Sequence, residues 1–229
     1  MFKNGKPTQG FPQHYDKHIN ETIPYYSQFH GEIINLVKAM GWEPELWLDT
    51  GCGTGTLAER ALSAFPAVKL ILADPSADML KVAGEKVNDM YPARVSYITE
   101  GTGEIELPPG GQPDVITAVL CHHYLREDGR VRATKRCYEL LRKSGLFVTF
   151  ENIRPLTERG TVIGKTNWMN FQIACGKSPE NAAEQLKRFG VEYFPITVEE
   201  HLELLRSTGF QVVELLWYSY MQAGFYCIK

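Results

Sequence analysis

Five short strand-like runs, four of them apolar and one alternating, with helical stretches between most of them, constrain this 229-residue chain more than any other feature. They are "ELWLDT" (45–50), "KLILAD" (69–74), "RVSYITE" (94–100), "DVITAVL" (114–120) and "LFVTFE" (146–151). Strands that are apolar on both faces belong to a parallel sheet covered by helices on each side. Right-handed crossovers then leave little choice but a doubly wound, Rossmann-like α/β sheet. Two more strands, about 211–219 and 224–229, are separated by a connection near Gln222 too short for a crossover, so they pair antiparallel. The sheet is predicted to have seven strands, mostly parallel, closed by a C-terminal antiparallel hairpin.

The rhythm breaks in two places. Residues 1–30 read as a loose arm rich in Pro, Gly and polar side chains, before a helix at 31–40. Residues 152–195 form a helical insertion after the fifth strand, with Ser178 as N-cap, Pro179 at the first helical position and Gly190 as a stop. Thr197 and Glu200 have the spacing of a capping box. One domain over 1–229 is expected, the arm acting as a lid and the insertion covering the substrate site.

A net charge of −3 and a pI near 6.1 give no global pull toward nucleic acid or anionic membranes. The run Arg126, Arg130, Arg132, Lys135, Arg136, Arg142 and Lys143 is a local exception, which on a helix reads first as a solvated face and second as an RNA contact. Five scattered cysteines form no CxxC pair, which argues against a zinc site or a disulfide framework and fits a reducing compartment. No apolar leader precedes the arm and no run approaches a membrane span, so a cytoplasmic protein is expected.

The chemistry is concentrated in "WLDTGCGTGTLAE" (47–59). Gly51, Gly53 and Gly55 follow the first strand, where a parallel sheet binds ligands. They permit positive φ and a close approach to bare backbone. A dinucleotide fingerprint is G-x-G-x-x-G; here the glycines run G-x-G-x-G and Thr56 stands in the third place. Asp49, just before them, repels a pyrophosphate and suits an ammonium group. Asp74 ends the second strand, placed to accept from both hydroxyls of a ribose. The pattern calls for a nucleoside carrying a cation in place of phosphates.

"LDTGCGTG", "LADPSADML" and "LLRKSGLFVTFE" together resemble the class I S-adenosylmethionine-dependent methyltransferases over residues 45–151. That resemblance implies S-adenosyl-L-methionine as cofactor, S-adenosyl-L-homocysteine as product, and transfer of a methyl group to a small-molecule acceptor. It implies that Asp49 and Thr50 lie by the methionine ammonium, that Gly51, Cys52 and Gly53 line the methionine and ribose, and that Asp74 holds the ribose. Pro75 and Met79 would border the adenine, Thr102 and Gly103 would occupy the adenine loop without its usual carboxylate, and Val119 and Leu120 would flank the methionine. "ETIPYYSQF" and "STGFQVVELLWYSYMQAGFYCIK" look like the branch containing the carboxy-S-adenosylmethionine synthases, whose arm tyrosine matches Tyr26. The synthases hold the extra carboxylate with an arginine where this chain has Leu204.

His122 and His123 stand where the acceptor belongs, each able to take a proton or simply to pack the next helix. Tyr15, Arg154, Trp168 and Tyr220 are the candidates for acceptor contact, as cap or as core. A homodimer through the insertion is compatible with the sequence. A tRNA-modification enzyme, a carboxy-cofactor synthase, an NAD-dependent oxidoreductase and a silent nucleoside-binding module remain as alternatives, and no metal is called for.

Overall fold

The computed structural model describes residues 2–3, 6–7, 11–88, 90–91, 93–108 and 111–229, with side chains from His14 onward. Most of the first ten residues of the arm lie outside that set. The sheet strands are β1 (Leu46–Thr50), β2 (Lys69–Ala73), β3 (Val95–Ile98), β4 (Val115–Val119), β5 (Leu146–Asn152), β6 (Val212–Ser219) and β7 (Gln222–Ile228). They run in the order β3-β2-β1-β4-β5-β7-β6, parallel through β5, with β7 antiparallel to both β5 and β6. A separate two-residue pairing joins Phe2–Lys3 to Lys6–Pro7.

Consecutive residues of the central strands enter opposite cores. On β1, Trp47 packs with Phe29, Phe65, Leu70 and Phe150 on one face, and Leu48 with Ile71, Ile116 and Phe147 on the other. Both side chains are fully buried, so these strands carry continuous apolar runs instead of alternation.

The helices are α1 (Phe11–Thr22), α2 (Tyr26–Ala39), α3 (Thr56–Ala64), α4 (Ala77–Val87), α5 (Glu127–Leu140), α6 (Glu158–Ala174), α7 (Pro179–Lys187) and α8 (Val198–Thr208). Ser178 caps α7, and the Thr197–Glu200 capping box closes in both directions at α8. Where a loose arm is expected, the chain forms α1 and the first turns of α2. Polar α1 has little local signal and is held by tertiary contacts: Trp168 of α6 donates its indole N–H to the Thr22 carbonyl at 2.6 Å. The hairpin turns at Tyr220–Met221, with Ser219 paired to Gln222.

Part of the basic run is engaged by the protein itself, while Arg126, Arg132, Lys135 and Lys143 remain exposed. Arg130 is buried and donates to the carbonyls of Leu125 and Phe194. Arg132 pairs with Glu104, Arg136 donates to the Ile105 carbonyl, and Arg142 pairs with Asp114 while covering the Trp42 ring. The Arg126 guanidinium lies 4.2 Å over Phe194. These contacts pair or stack part of the positive charge on which an RNA reading depends.

Candidate functional site

Beyond the carboxyl ends of the parallel strands, β1 has β2 on one side and β4 on the other, and the strand order changes direction there. This is the switch point at which open α/β sheets bind ligands. The glycine loop follows β1, Asp74 follows β2, Thr102 and Gly103 follow β3, and the turn His122–Tyr124 follows β4.

The three loop glycines all have positive φ but do different work. A Cβ on Gly51 would lie 2.4 Å from the Cys121 Cβ, and one on Gly55 would lie 3.0 Å from the Ala83 Cβ of α4. Those two positions are closed by packing. A Cβ on Gly53 would meet only the Tyr15 ring, at 4.0 Å. Gly53 is the loop glycine whose backbone is not closed by packing, and the Tyr15 ring of α1 lies over it.

Two buried carboxylates flank this loop. Asp49 accepts the Thr117 hydroxyl at 2.7 Å, and that hydroxyl accepts the Trp47 indole N–H at 2.9 Å. Burial raises the Asp49 carboxyl to about 7, against the Thr117 hydrogen bond, with the charge on Asp74 adding to the rise. Asp74 accepts the backbone N–H of Gly53 at 3.0 Å and of Ser76 at 2.8 Å. Burial raises it too, opposed by those two bonds. Neighbouring Met79 is buried and Pro75 is exposed.

At the far side Thr50 and Thr102 share a short hydroxyl contact, and Thr102 Oγ1 lies 3.2 Å from His122 Nε2. Burial holds the His122 imidazole below its ordinary value, hence neutral near pH 7. Leu120 has φ 54 and donates its N–H to Phe150, turning the chain from β4 into the His122–Tyr124 turn.

Glu151, at the end of β5, organises that turn. Wholly buried, it accepts the backbone N–H groups of His122 (3.2 Å) and His123 (2.9 Å), the Thr149 hydroxyl (2.9 Å) and His123 Nδ1 (2.8 Å). Burial raises its pKa, but the His123 hydrogen bond and the charges of His123, His122 and His201 outweigh that and bring it to about 2. An ionised carboxylate can only accept, so His123 Nδ1 carries the proton. Its Nε2 is 3.2 Å from the Asn152 side-chain amide. Both ring nitrogens of His123 are engaged by the protein, whereas His122 meets the Thr102 hydroxyl at the crevice.

The remaining candidates are placed as follows. Tyr26 is buried against Phe29 and His30 and lies within electrostatic reach of Asp49. Trp168 is wholly buried, part of the core between α6 and α1. Arg154 makes a two-oxygen ion pair with Glu200 at the surface. Tyr220 stands in the hairpin turn, its ring between those of Tyr25 and Phe171. Glu151 and Asp16 join the site only in the folded structure. The signal for Glu151 was a charge ending an otherwise apolar strand; Asp16 had none.

Residues 48–147 match the methyltransferase domain family model. Together with the sheet order this match supports a class I S-adenosylmethionine-dependent methyltransferase domain, and hence an enzyme. By sequence it is similar to the carboxy-S-adenosyl-L-methionine synthase of Nautilia profundicola, 22% identical over 203 residues, which are 89% of this chain and 85% of that one. By fold it is similar to magnesium protoporphyrin IX methyltransferase from Synechocystis, solved with S-adenosylhomocysteine (TM-score 0.69, 15% identity, 97% of this chain and 95% of that one). It is also similar to human N-acetylserotonin methyltransferase, solved with S-adenosylmethionine (TM-score 0.58, 16% identity, 98% of this chain). The chain spans 60% of that human protein and 59% of a larger Nostoc punctiforme structure of the same fold. No helix among the described residues is long and apolar enough to cross a membrane.

Proposed function

We propose that this enzyme binds S-adenosyl-L-methionine at the β1–β4 switch point and transfers its methyl group to a small-molecule acceptor, leaving S-adenosyl-L-homocysteine. The observation that carries this reading is the open backbone of Gly53 set between two buried carboxylates, Asp49 and Asp74. Asp49 meets the methionine ammonium beside Thr50, Gly51 and Cys52. Asp74 takes the ribose hydroxyls. Pro75 and Met79 border the adenine, Thr102 and Gly103 close its loop, and Val119, Leu120 and Tyr26 wall the methionine.

Methyl transfer from a sulfonium is an in-line displacement in which positive charge disperses. The protein has mainly to align acceptor and methyl and to keep water out, and orientation alone supplies about 7–11 kcal/mol. The roof formed by Tyr15 on α1 serves both ends. His122, neutral and facing Thr102, is the residue able to take an acceptor proton. His123 acts through Glu151 by holding the turn in place. Tyr220 and Arg154 lie toward the insertion, where the acceptor is taken to enter, and Trp168 supports that wall from within. Self-association through the exposed Val162 and Ile163 of α6 belongs to the same proposal, and light scattering reads it.

Similarity to the carboxy-S-adenosylmethionine synthases, over about nine-tenths of this chain, favours a second reading in which the bound cofactor carries a carboxymethyl group. Leu204 speaks against it. Thermal shift with S-adenosylmethionine, S-adenosylhomocysteine and NAD tests the cofactor class: a ligand at 100 times its dissociation constant adds about 2.7 kcal/mol. Stabilisation by NAD alone overturns the proposal. Mass spectrometry of cofactor carried through purification separates the methyl from the carboxymethyl donor.

A further inference from the structure

Glu151 is ionised and wholly buried, yet among the described residues no Lys or Arg pairs with it directly. Its acceptor bonds go to the His122–Tyr124 turn and to Thr149. Behind that turn lies a small cavity, lined by His122, by Arg130 and Thr134 of α5, by Thr149 and Glu151 of β5, and by His201 of α8. It leaves about 10 Å³ for the centre of a water-sized molecule, which is room for one water. Two polar atoms in its wall, Arg130 Nε and His201 Nε2, are buried without a hydrogen-bond partner among the described residues. Each belongs to a residue only 4% exposed. Arg130 donates from Nη2 to the carbonyls of Leu125 and Phe194, which leaves its Nε–H for the cavity. Burial lowers the Arg130 pKa and the Glu151 charge opposes that, so the two ions act on each other across this space. Buried waters settle where several such unmet groups converge.

We propose that this cavity is a binding site for one ordered water, which accepts the Arg130 Nε–H and donates to Glu151 and to His201 Nε2. Arg130 and Glu151 then form a water-mediated ion pair, and one molecule satisfies both unpartnered atoms with three hydrogen bonds. Chemistry fixes the direction of each bond: a guanidinium only donates, an ionised carboxylate only accepts, and a neutral imidazole offers one acceptor nitrogen. Burial brings the His201 pKa down to about 4, so its ring is neutral near pH 7. That ring comes from α8, beyond the insertion, and is stacked on Phe225 of β7 with centroids 4.9 Å apart. The water ties α5, β5 and α8 together behind the backbone N–H groups that Glu151 receives from His122 and His123. Arg130 and His201 are thereby positioning residues for that turn, a role whose bearing on the acceptor rests on the function proposed above. The water itself does not depend on which cofactor the crevice binds.

A crystal structure of the full chain, at a resolution that shows ordered waters, tests the site directly. A density peak roughly 2.7–3.2 Å from Arg130 Nε, His201 Nε2 and a Glu151 oxygen is expected. An empty cavity, or a direct Arg130–Glu151 pair, overturns the inference. Long-range proton–nitrogen correlation spectra of the wild type read the His201 tautomer independently. A protonated Nδ1 with Nε2 bare is expected at pH 7, and a protonated Nε2 overturns the hydrogen-bond scheme. His201→Leu removes one of the water's partners and should raise amide hydrogen exchange at His122 and His123 roughly tenfold, the scale of one hydrogen bond in a charged network, while α3 amides keep their wild-type rates. Equal exchange at those two amides, or a rise of the same size in α3, refutes the positioning role. Both wild-type measurements stand if the variant does not fold. Titration of the wild type with S-adenosylhomocysteine tests the cofactor reading separately.

Discussion

Thr117 donates its hydroxyl to Asp49 across 2.7 Å, and among the described residues this bond between adjacent parallel strands is the one side-chain hydrogen bond to that buried carboxylate. With its pKa raised to about 7, Asp49 is only partly ionised at neutral pH until a cation arrives. Binding of a ligand bearing an ammonium group is therefore expected to expel protons at or below pH 7. Affinity for S-adenosylhomocysteine should rise as pH climbs toward 7, by at most about tenfold per unit, and flatten above it. Thr117→Val removes the donor and moves the bend to higher pH. Calorimetry in buffers of different ionisation enthalpy measures the protons, and a flat profile contradicts the assignment.

The glycine loop separates folding from binding. Gly51→Ala puts a Cβ 2.4 Å from that of Cys121 at φ 63, so overpacking and left-handed strain together are expected to cost about 2–5 kcal/mol of stability. Gly53→Ala, at φ 54 with no close neighbour, should cost only ~1–2 kcal/mol while cofactor affinity falls. Thermal melts beside ligand titrations decide it; equal destabilisation of the two variants contradicts the division of roles.

Asp74→Ala is expected to lose roughly 10- to 100-fold in cofactor affinity, since hydrogen bonds to a charged group are worth about 1.5–3 kcal/mol. Titration calorimetry reads the loss, and unchanged affinity would show that the ribose is held elsewhere.

Buried His201 has its imidazole pKa brought down to about 4, chiefly by burial. The unfolded chain therefore binds a proton there that the folded chain refuses, and stability falls as pH drops from about 6.5 to 4. Asp49 acts oppositely over the same range, because its raised pKa lets the folded chain take up a proton first. Comparing the wild type with His201→Gln separates the two: the wild type's relative stability should decline by about 1.4 kcal/mol per pH unit below 6.5 and stay constant above. Urea unfolding at several pH values measures this, and parallel curves throughout would refute it.

What sequence alone determined is the frame: parallel strands from runs apolar on both faces, the closing hairpin, the caps at Ser178 and Thr197, and the placing of Asp49, the glycines and Asp74 at strand ends. These follow from local spacing, because burial on a sheet and capping of a helix are set by residues a few positions apart. Only the tertiary structure decided which glycine stays open, since Gly51 and Gly55 are closed by Cys121 and Ala83 from distant segments. Long-range packing also made a helix of the polar arm, carried Asp16 to Thr54 from 38 residues away and to Lys86 from 70, and gave both nitrogens of His123 to the protein. Contacts between such distant residues leave no periodicity in the chain; they arise when helices settle on the sheet and buried charges must find partners.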